Sequence, residues 1–195
     1  MYISKQGNNK NLLLHYKKIN MKDNYFKATH TNSWEITEIV RIFLILGWNI
    51  ELVDRTVNNW APTRRYDLFI SNSSGSGAFK FMRMAQKIPN TFKVMYAAGP
   101  AIDISNQLTN QRYQDLKTRK NLVGPTYSLR VFDENIDDVM LYTNSIICID
   151  DNGFSSQTYD RFHKQTYKLN PSTSPFAFDS SQTILTKKRN SFMYF

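Results

Sequence analysis

Residues 29–54, THTNSWEITEIVRIFLILGWNIELVD, carry the clearest polar and apolar pattern in the chain. Asn32 followed by Glu35 forms a capping box, in which two side chains satisfy orphan amide donors at a helix start. Ile36, Ile39, Val40, Phe43 and Leu46 then recur at steps of three and four, drawing one apolar stripe along a helix. Gly47 supplies a left-handed stop. Ile50, Leu52 and Val53 make a short apolar strand that ends on Asp54. A capped helix, a glycine and a buried strand form the second half of a βαβ unit. The polar THTN turn then falls at the carboxyl edge of a parallel sheet, where open α/β folds bind ligands.

The same alternation continues along the chain. Residues 11–16, NLLLHY, read as a first strand, 50–54 as the second, 66–71, YDLFIS, as the third and 92–97, FKVMYA, as the fourth. Residues 78–87 and 105–120 read as helices, 136–142 as a short helix, and 145–150, SIICID, as another strand. A helix over 155–163 and a last strand over 165–169 follow. Strands alternating with helices predict an α/β fold: a Rossmann-like, mainly parallel sheet with helices on both faces. Residues 170–190 are rich in proline, serine and threonine and read as a linker, followed by a strand-like run, SFMYF, over 191–195. That run either returns to the sheet as an edge or starts a second domain. The expected division is a Rossmann-like domain over 1–169, a linker over 170–190 and a first strand of a second domain over 191–195.

Two loops follow strands and hold small residues. SNSSGSGA, 71–78, brings Gly75 and Gly77 to a strand–helix junction, where glycine lets backbone amides face a ligand. A third glycine near Lys80 is missing, the loop does not follow the first strand, and no Gly-Lys-Ser/Thr is present, so neither nucleotide fingerprint is met. A permissive turn, or a loop touching a ligand without phosphates, fits better. AAGPA, 97–101, places Gly99 at another strand end, as a tight turn or a space for ligand. In the polar helix over 105–120, Arg112 and Arg119 lie seven apart and share a face. They can clamp an anion or simply face solvent.

Composition adds limits. A chain of 195 residues can bury a full core without staples. Its single cysteine, Cys148, excludes an internal disulfide and, inside an apolar run, reads as a core thiol. His15, His30 and His163 are scattered, and no spacing suggests a metal site. The opening is polar, and no apolar run approaches the ~20 residues of a membrane span, so a cytoplasmic protein is the expectation. The net charge of +9 favours anionic partners, acidic lipid headgroups at an inner membrane face included. Neighbouring carboxylates such as Asp137-Asp138 and Asp150-Asp151 point apart and make no ready acid–base pair; Asp150, at a strand end, is the best placed. Trp34, Trp48 and Trp60 can stack on sugars or bases, although core packing suits Trp34 better.

HTNSWEITEIVRIFLILGWNIELVD resembles the start of the N-terminal domain of GT-B-type glycosyltransferases of the bacterial family-4-like or family-1-like kind. YDLFIS with its glycine loop, and then FKVMYAAGPA, are similar to the next two strands of that domain, and NQRYQDLKTRK resembles an arginine-bearing helix in a subset of them. SIICIDDNGFSSQTYDRF looks like the strand–helix unit before the interdomain linker, and KKRNSFMYF like the first strand of the second Rossmann domain. The resemblance implies an acceptor-side domain, with a nucleotide-sugar as co-substrate, a glycan or related acceptor, and no metal or further cofactor. His30, Asn32, Gly75, Gly77 and Gly99 would face the cleft, and Arg112 and Arg119 would contact anionic acceptor or donor phosphate. In that family the donor binds mainly the C-terminal domain, which also carries the E-x7-E carboxylates. This chain holds neither, which implies that it does not transfer sugar alone. Two alternatives stay open: a non-catalytic α/β module for glycan or nucleotide, and a basic nucleic-acid-binding domain. Nucleic acid is not the expected partner, since no RRM, zinc-finger or helix-turn-helix signature is present.

Overall fold

The computed structural model describes Tyr2 and residues 7–17, 31–72, 77–121, 131–150 and 152–170. Six strands are described: β1 (Asn11–Tyr16), β2 (Asn49–Asp54), β3 (Leu68–Asn72), β4 (Phe92–Ala97), β5 (Ser145–Ile149) and β6 (Gln165–Leu169). They form one sheet in the order β2-β1-β3-β4-β5-β6, and every pairing is parallel. The helices are α1 (Thr31–Ile45), α2 (Gly77–Lys87), α3 (Ile102–Lys120), α4 (Ile136–Tyr142) and α5 (Phe154–Gln157). The chain is thus an α/β protein of Rossmann-like build, as the alternation of elements predicts.

Side chains alternate across a strand, so the register sorts the core into two layers. Leu12, Leu14 and Tyr16 share one face with Ile50, Ile70, Val94 and Tyr96, and Ile36 and Val40 of α1 cover them. Leu13 shares the other face with Phe69, Met95, Ile146 and Cys148. There α2 contributes Phe81, Met84, Ala85 and Ile88, and α4 contributes Ile136, Val139 and Met140. Phe69 and Phe81 stack with centroids 5.3 Å apart. Such full coverage is why these strands read as continuous apolar runs.

Glu51 points into the second layer from the middle of β2. Its carboxylate accepts from the Tyr66 hydroxyl (2.6 Å), the Thr63 hydroxyl (2.8 Å) and the Trp60 indole N–H (3.2 Å). Burial works to raise the Glu51 pKa, but these three donors outweigh it and hold the carboxyl below its ordinary value. One carboxylate therefore organises the connection from β2 to β3. Trp60 and Tyr66 are buried by it, which settles Trp60 as a core side chain. Trp48 packs edge-on against Phe43 beneath the Lys10 ammonium.

Several boundaries differ from the sequence expectation for local reasons. Helix α1 begins at Thr31, so Asn32 lies inside its first turn rather than before it, and Glu35 turns inward to Tyr16. β3 begins at Leu68 instead of residue 66, because the Tyr66 side chain is committed to Glu51 and the Asp67 carboxylate accepts from the Asn11 amide. Helix α3 starts three residues earlier than expected, where Ile102 enters the core. The helix expected over 155–163 splits into α5 and a 3-10 turn over Asp160–Phe162. There the amides of Thr158 and Tyr159 bond back three residues, and Tyr159 is drawn inward to the Gly99 carbonyl. The expected linker beyond Asn170 and the strand over 191–195 lie outside the described residues. No helix among the described residues is long and apolar enough to cross a membrane.

Gly77 is fixed by close approach. A β-carbon there would sit 2.5 Å from the Asn72 carbonyl oxygen, whereas one on Gly99 would meet nothing within 4 Å. Gly77→Ala is expected to lower unfolding free energy by about 1–3 kcal/mol in urea titrations, and Gly99→Ala to stay within about 0.5 kcal/mol of the parent. Equal effects would contradict this account of the β3–α2 junction.

Candidate functional site at the carboxyl edge

The chain steps from β1 to β2 on one side, then crosses back to place β3 on the other side of β1. At such a reversal the connections leave in opposite directions, and a crevice opens at the carboxyl ends of the two strands. The last residues of β1, β3 and β4 stand there. All are polar or aromatic except Ala97, which is a marked change from the aliphatic residues that precede them.

On the α1 side, the Tyr16 hydroxyl donates to Glu35 Oε2 at 2.8 Å. The Glu35 carboxylate also acts on the Tyr96 hydroxyl, and the Asn72 side chain acts on that of Tyr16. The two phenol rings meet edge to face, with centroids 5.9 Å apart. Burial first, and then the Glu35 charge, push both hydroxyls well above the ordinary phenol range, so both remain donors. The group joins three neighbouring strands to α1 through one buried carboxylate.

On the opposite face, His15 Nδ1 lies 2.7 Å from Ser71 Oγ. His15 is fully buried, and its Nε2 has no hydrogen-bond partner among the described residues. Burial and then the nearby Lys80 charge lower its pKa to about 4, against a smaller upward pull from Asp54. The ring is therefore neutral at physiological pH. Asp54, at the end of β2, accepts from both the amide and the hydroxyl of Thr56.

Comparison with protein families, curated proteins and solved structures finds no match for the chain. The residues themselves carry the functional argument. Asn32 in the first turn of α1, Gly77 at the start of α2 and Gly99 after β4 follow strands of one parallel sheet and lie at its carboxyl edge. His30 and Gly75 lie outside the described residues. Arg112 and Arg119 are exposed on α3, about 15 Å and 26 Å along the axis from Ile102 at 1.5 Å per residue. The helix carries them away from the edge where it starts. The Gly99 carbonyl accepts from the Tyr159 hydroxyl at 3.1 Å, so this turn is tied to the core.

Two other chemistry-bearing residues serve the fold. Cys148 is buried, and burial, assisted by the Asp150 charge, lifts its pKa to about 11. Asp150 accepts from the amides of Gly153 (3.0 Å) and Ser156 (2.8 Å), so it braces the turn into α5. Burial tends to raise the Asp150 pKa, but these hydrogen bonds hold it low. No group of three or more histidine, cysteine or acidic residues able to hold a metal occurs among the described residues.

Tyr16, Tyr96, His15 and Ser71 are the edge residues that sequence reasoning missed. A usable signal was present in the polar or aromatic residues that close apolar strands. The His15 environment sets a pH dependence. Its folded pKa lies below the unfolded value, so the unfolded chain takes up the proton first as pH falls. Stability from this group is complete above pH ~6.5 and is lost toward pH 4, by about 3 kcal/mol. Urea titrations at pH 7 and pH 4 are expected to show that loss in the parent and a correspondingly smaller loss in His15→Gln. Parallel losses would mean that the histidine is not held neutral by the fold.

Proposed function

We propose that this domain binds a hydroxyl-rich ligand at the crevice above β1 and β3, as the acceptor-side half of a GT-B-type glycosyltransferase. In that role a sugar passes from a nucleotide-sugar donor to a glycan or related acceptor held against this edge. The observation that carries the reading is Glu35 bonded to the Tyr16 hydroxyl at the switch point, with the Tyr96 ring packed edge-on against Tyr16 beside it. A carboxylate offers about four acceptor sites, more than two phenols occupy. Phenols, a carboxylate and the Asn72 amide together supply the donors, acceptors and ring faces that saccharide recognition uses. Parallel strands closing on one edge support the same reading, since side chains far apart in sequence reach one crevice there.

A second reading is binding without turnover. It is favoured by the commitments of the carboxylates: Glu35 is engaged by the Tyr16 hydroxyl, and Asp150 is committed to backbone amides. Turnover, in contrast, needs cationic or amide groups to stabilise a departing nucleotide.

Amide-resolved NMR titration with a panel of mono- and oligosaccharides tests the binding step. Saturable shifts are expected at Tyr16, Asn72 and Tyr96, and Tyr96→Phe is expected to weaken binding about fivefold to tenfold, the worth of one neutral hydrogen bond. Shifts confined to other surfaces would sink the proposal. Nucleotide release from UDP-, GDP- and ADP-sugars separates the two readings. Release stimulated by a saccharide that binds this edge supports transfer, and saccharide binding with no release under any donor supports the binding module.

A further inference from the structure

A concavity lies away from the Glu35 cluster, between α2 and the start of the β2–β3 connection. It is a cleft of about 140 Å³. Lys80, Arg83 and Lys87 line it from α2. Their spacing of three and then four residues places all three on one stripe of the helix. Buried Trp60 and Met84 form its apolar floor, and exposed Val57 and Phe79 stand at its rim. No carboxylate is among the described residues that line it.

The cations are held without being neutralised. Lys80 donates to the Arg55 carbonyl at 2.6 Å, and Lys87 donates to the Trp60 carbonyl. Arg83 lies over the Phe79 ring, 5.6 Å from its centroid. None of the ion pairs found among the described residues includes any of the three. Carbonyls position an ammonium but leave its charge unpaired. The Glu51 hub keeps Trp60, and with it the far wall, in place. The result is a preorganised cationic concavity with an apolar base, which differs from charge scattered over a solvated surface.

We propose that this cleft binds the phosphate group of a small phosphomonoester whose ring or other apolar part packs on Phe79 and Val57. The guanidinium and the two ammonium groups supply charge-assisted donors to a tetrahedral oxyanion. The volume admits one such group and not a drug-sized ligand, so the rest of the molecule lies along the rim. The site is separate from the saccharide reading, and neither depends on the other.

Phenyl phosphate is the probe, followed by amide-resolved NMR on the full chain at fixed salt. Saturable shifts are expected at residues 57–60 and 79–87, with a Kd of roughly millimolar for a ligand of this size. Inorganic phosphate should bind more weakly, and phenol should not saturate. Arg83→Gln should weaken phenyl phosphate about fivefold or more, and Arg83→Lys should restore most of the loss. Arg83 is exposed and lies over Phe79 on the same helix, so the fold tolerates both changes. Lys117→Gln, which removes the same charge from exposed α3, should change Kd by less than twofold. The proposal is overturned if Lys117→Gln matches Arg83→Gln, if phenol binds as well as phenyl phosphate, or if shifts scatter without saturating. It is also overturned if a single-stranded oligonucleotide occupies these residues with a salt dependence that reports several phosphates, since that marks a nucleic-acid surface.

Discussion

The rest of the molecule depends on the burial of β1 on both sides. Leu12, Leu13 and Leu14 are each 0 % exposed, although consecutive side chains point to opposite faces. A strand with leucine on both faces cannot sit at a solvated surface. It needs a strand on each flank to satisfy its backbone and a helix layer over each face. β2 and β3 supply the flanks; α1 supplies one layer, and α2 with α4 the other. At about 25 cal/mol per Å² of apolar surface, this central burial contributes more than any polar contact in the chain. Polar groups refine a layout that the leucines impose.

The ends of the apolar strands are where function concentrates. The hydrophobic demand relaxes at the last residue or two of β1, β3 and β4, and hydrogen-bonding side chains appear there. Their burial is costly without partners. Glu35 meets this cost through the Tyr16 hydroxyl, and Ser71 meets part of it for His15. The unpartnered Nε2 of His15 is the exception among the described residues. Keeping the ring neutral is the least costly solution for an imidazole that cannot reach water.

These features differ in how legible they are in the sequence. The strands over 11–16, 92–97 and 145–149 and the helix over 136–142 follow from periodicity, because one face or both must be apolar. Strand order does not follow from periodicity, and with it goes the position of the switch point. Glu35 shows the limit sharply. Its spacing from Asn32 fits a capping box, a local explanation that needs no other part of the chain. In the fold the carboxylate turns instead to Tyr16, nineteen residues earlier in the chain. Lys80, Arg83 and Lys87 stand at helical spacing along α2, a stripe not singled out from the sequence. Its concave setting was not legible, because the opposite wall comes from Val57 and Trp60 across two strand connections. Long-range polar partners leave no periodic trace.

The two-residue period of a strand also explains why polar groups stand on both faces of one edge. His15 and Tyr16 are adjacent, so their side chains must point to opposite layers. Tyr16 reaches Glu35 on the α1 side, and His15 reaches Ser71 on the α2 side, where the Lys80 charge acts on it. The same alternation holds in β3, where Ser71 and Asn72 point to opposite layers, as His15 and Tyr16 do. A shift of β1 by one residue would exchange these partners and move its apolar set to the wrong layers at the same time. Register, core packing and the polar edge are therefore one constraint. Any ligand-induced movement compatible with the sheet must act through the side chains and flanking loops, leaving the strands in place.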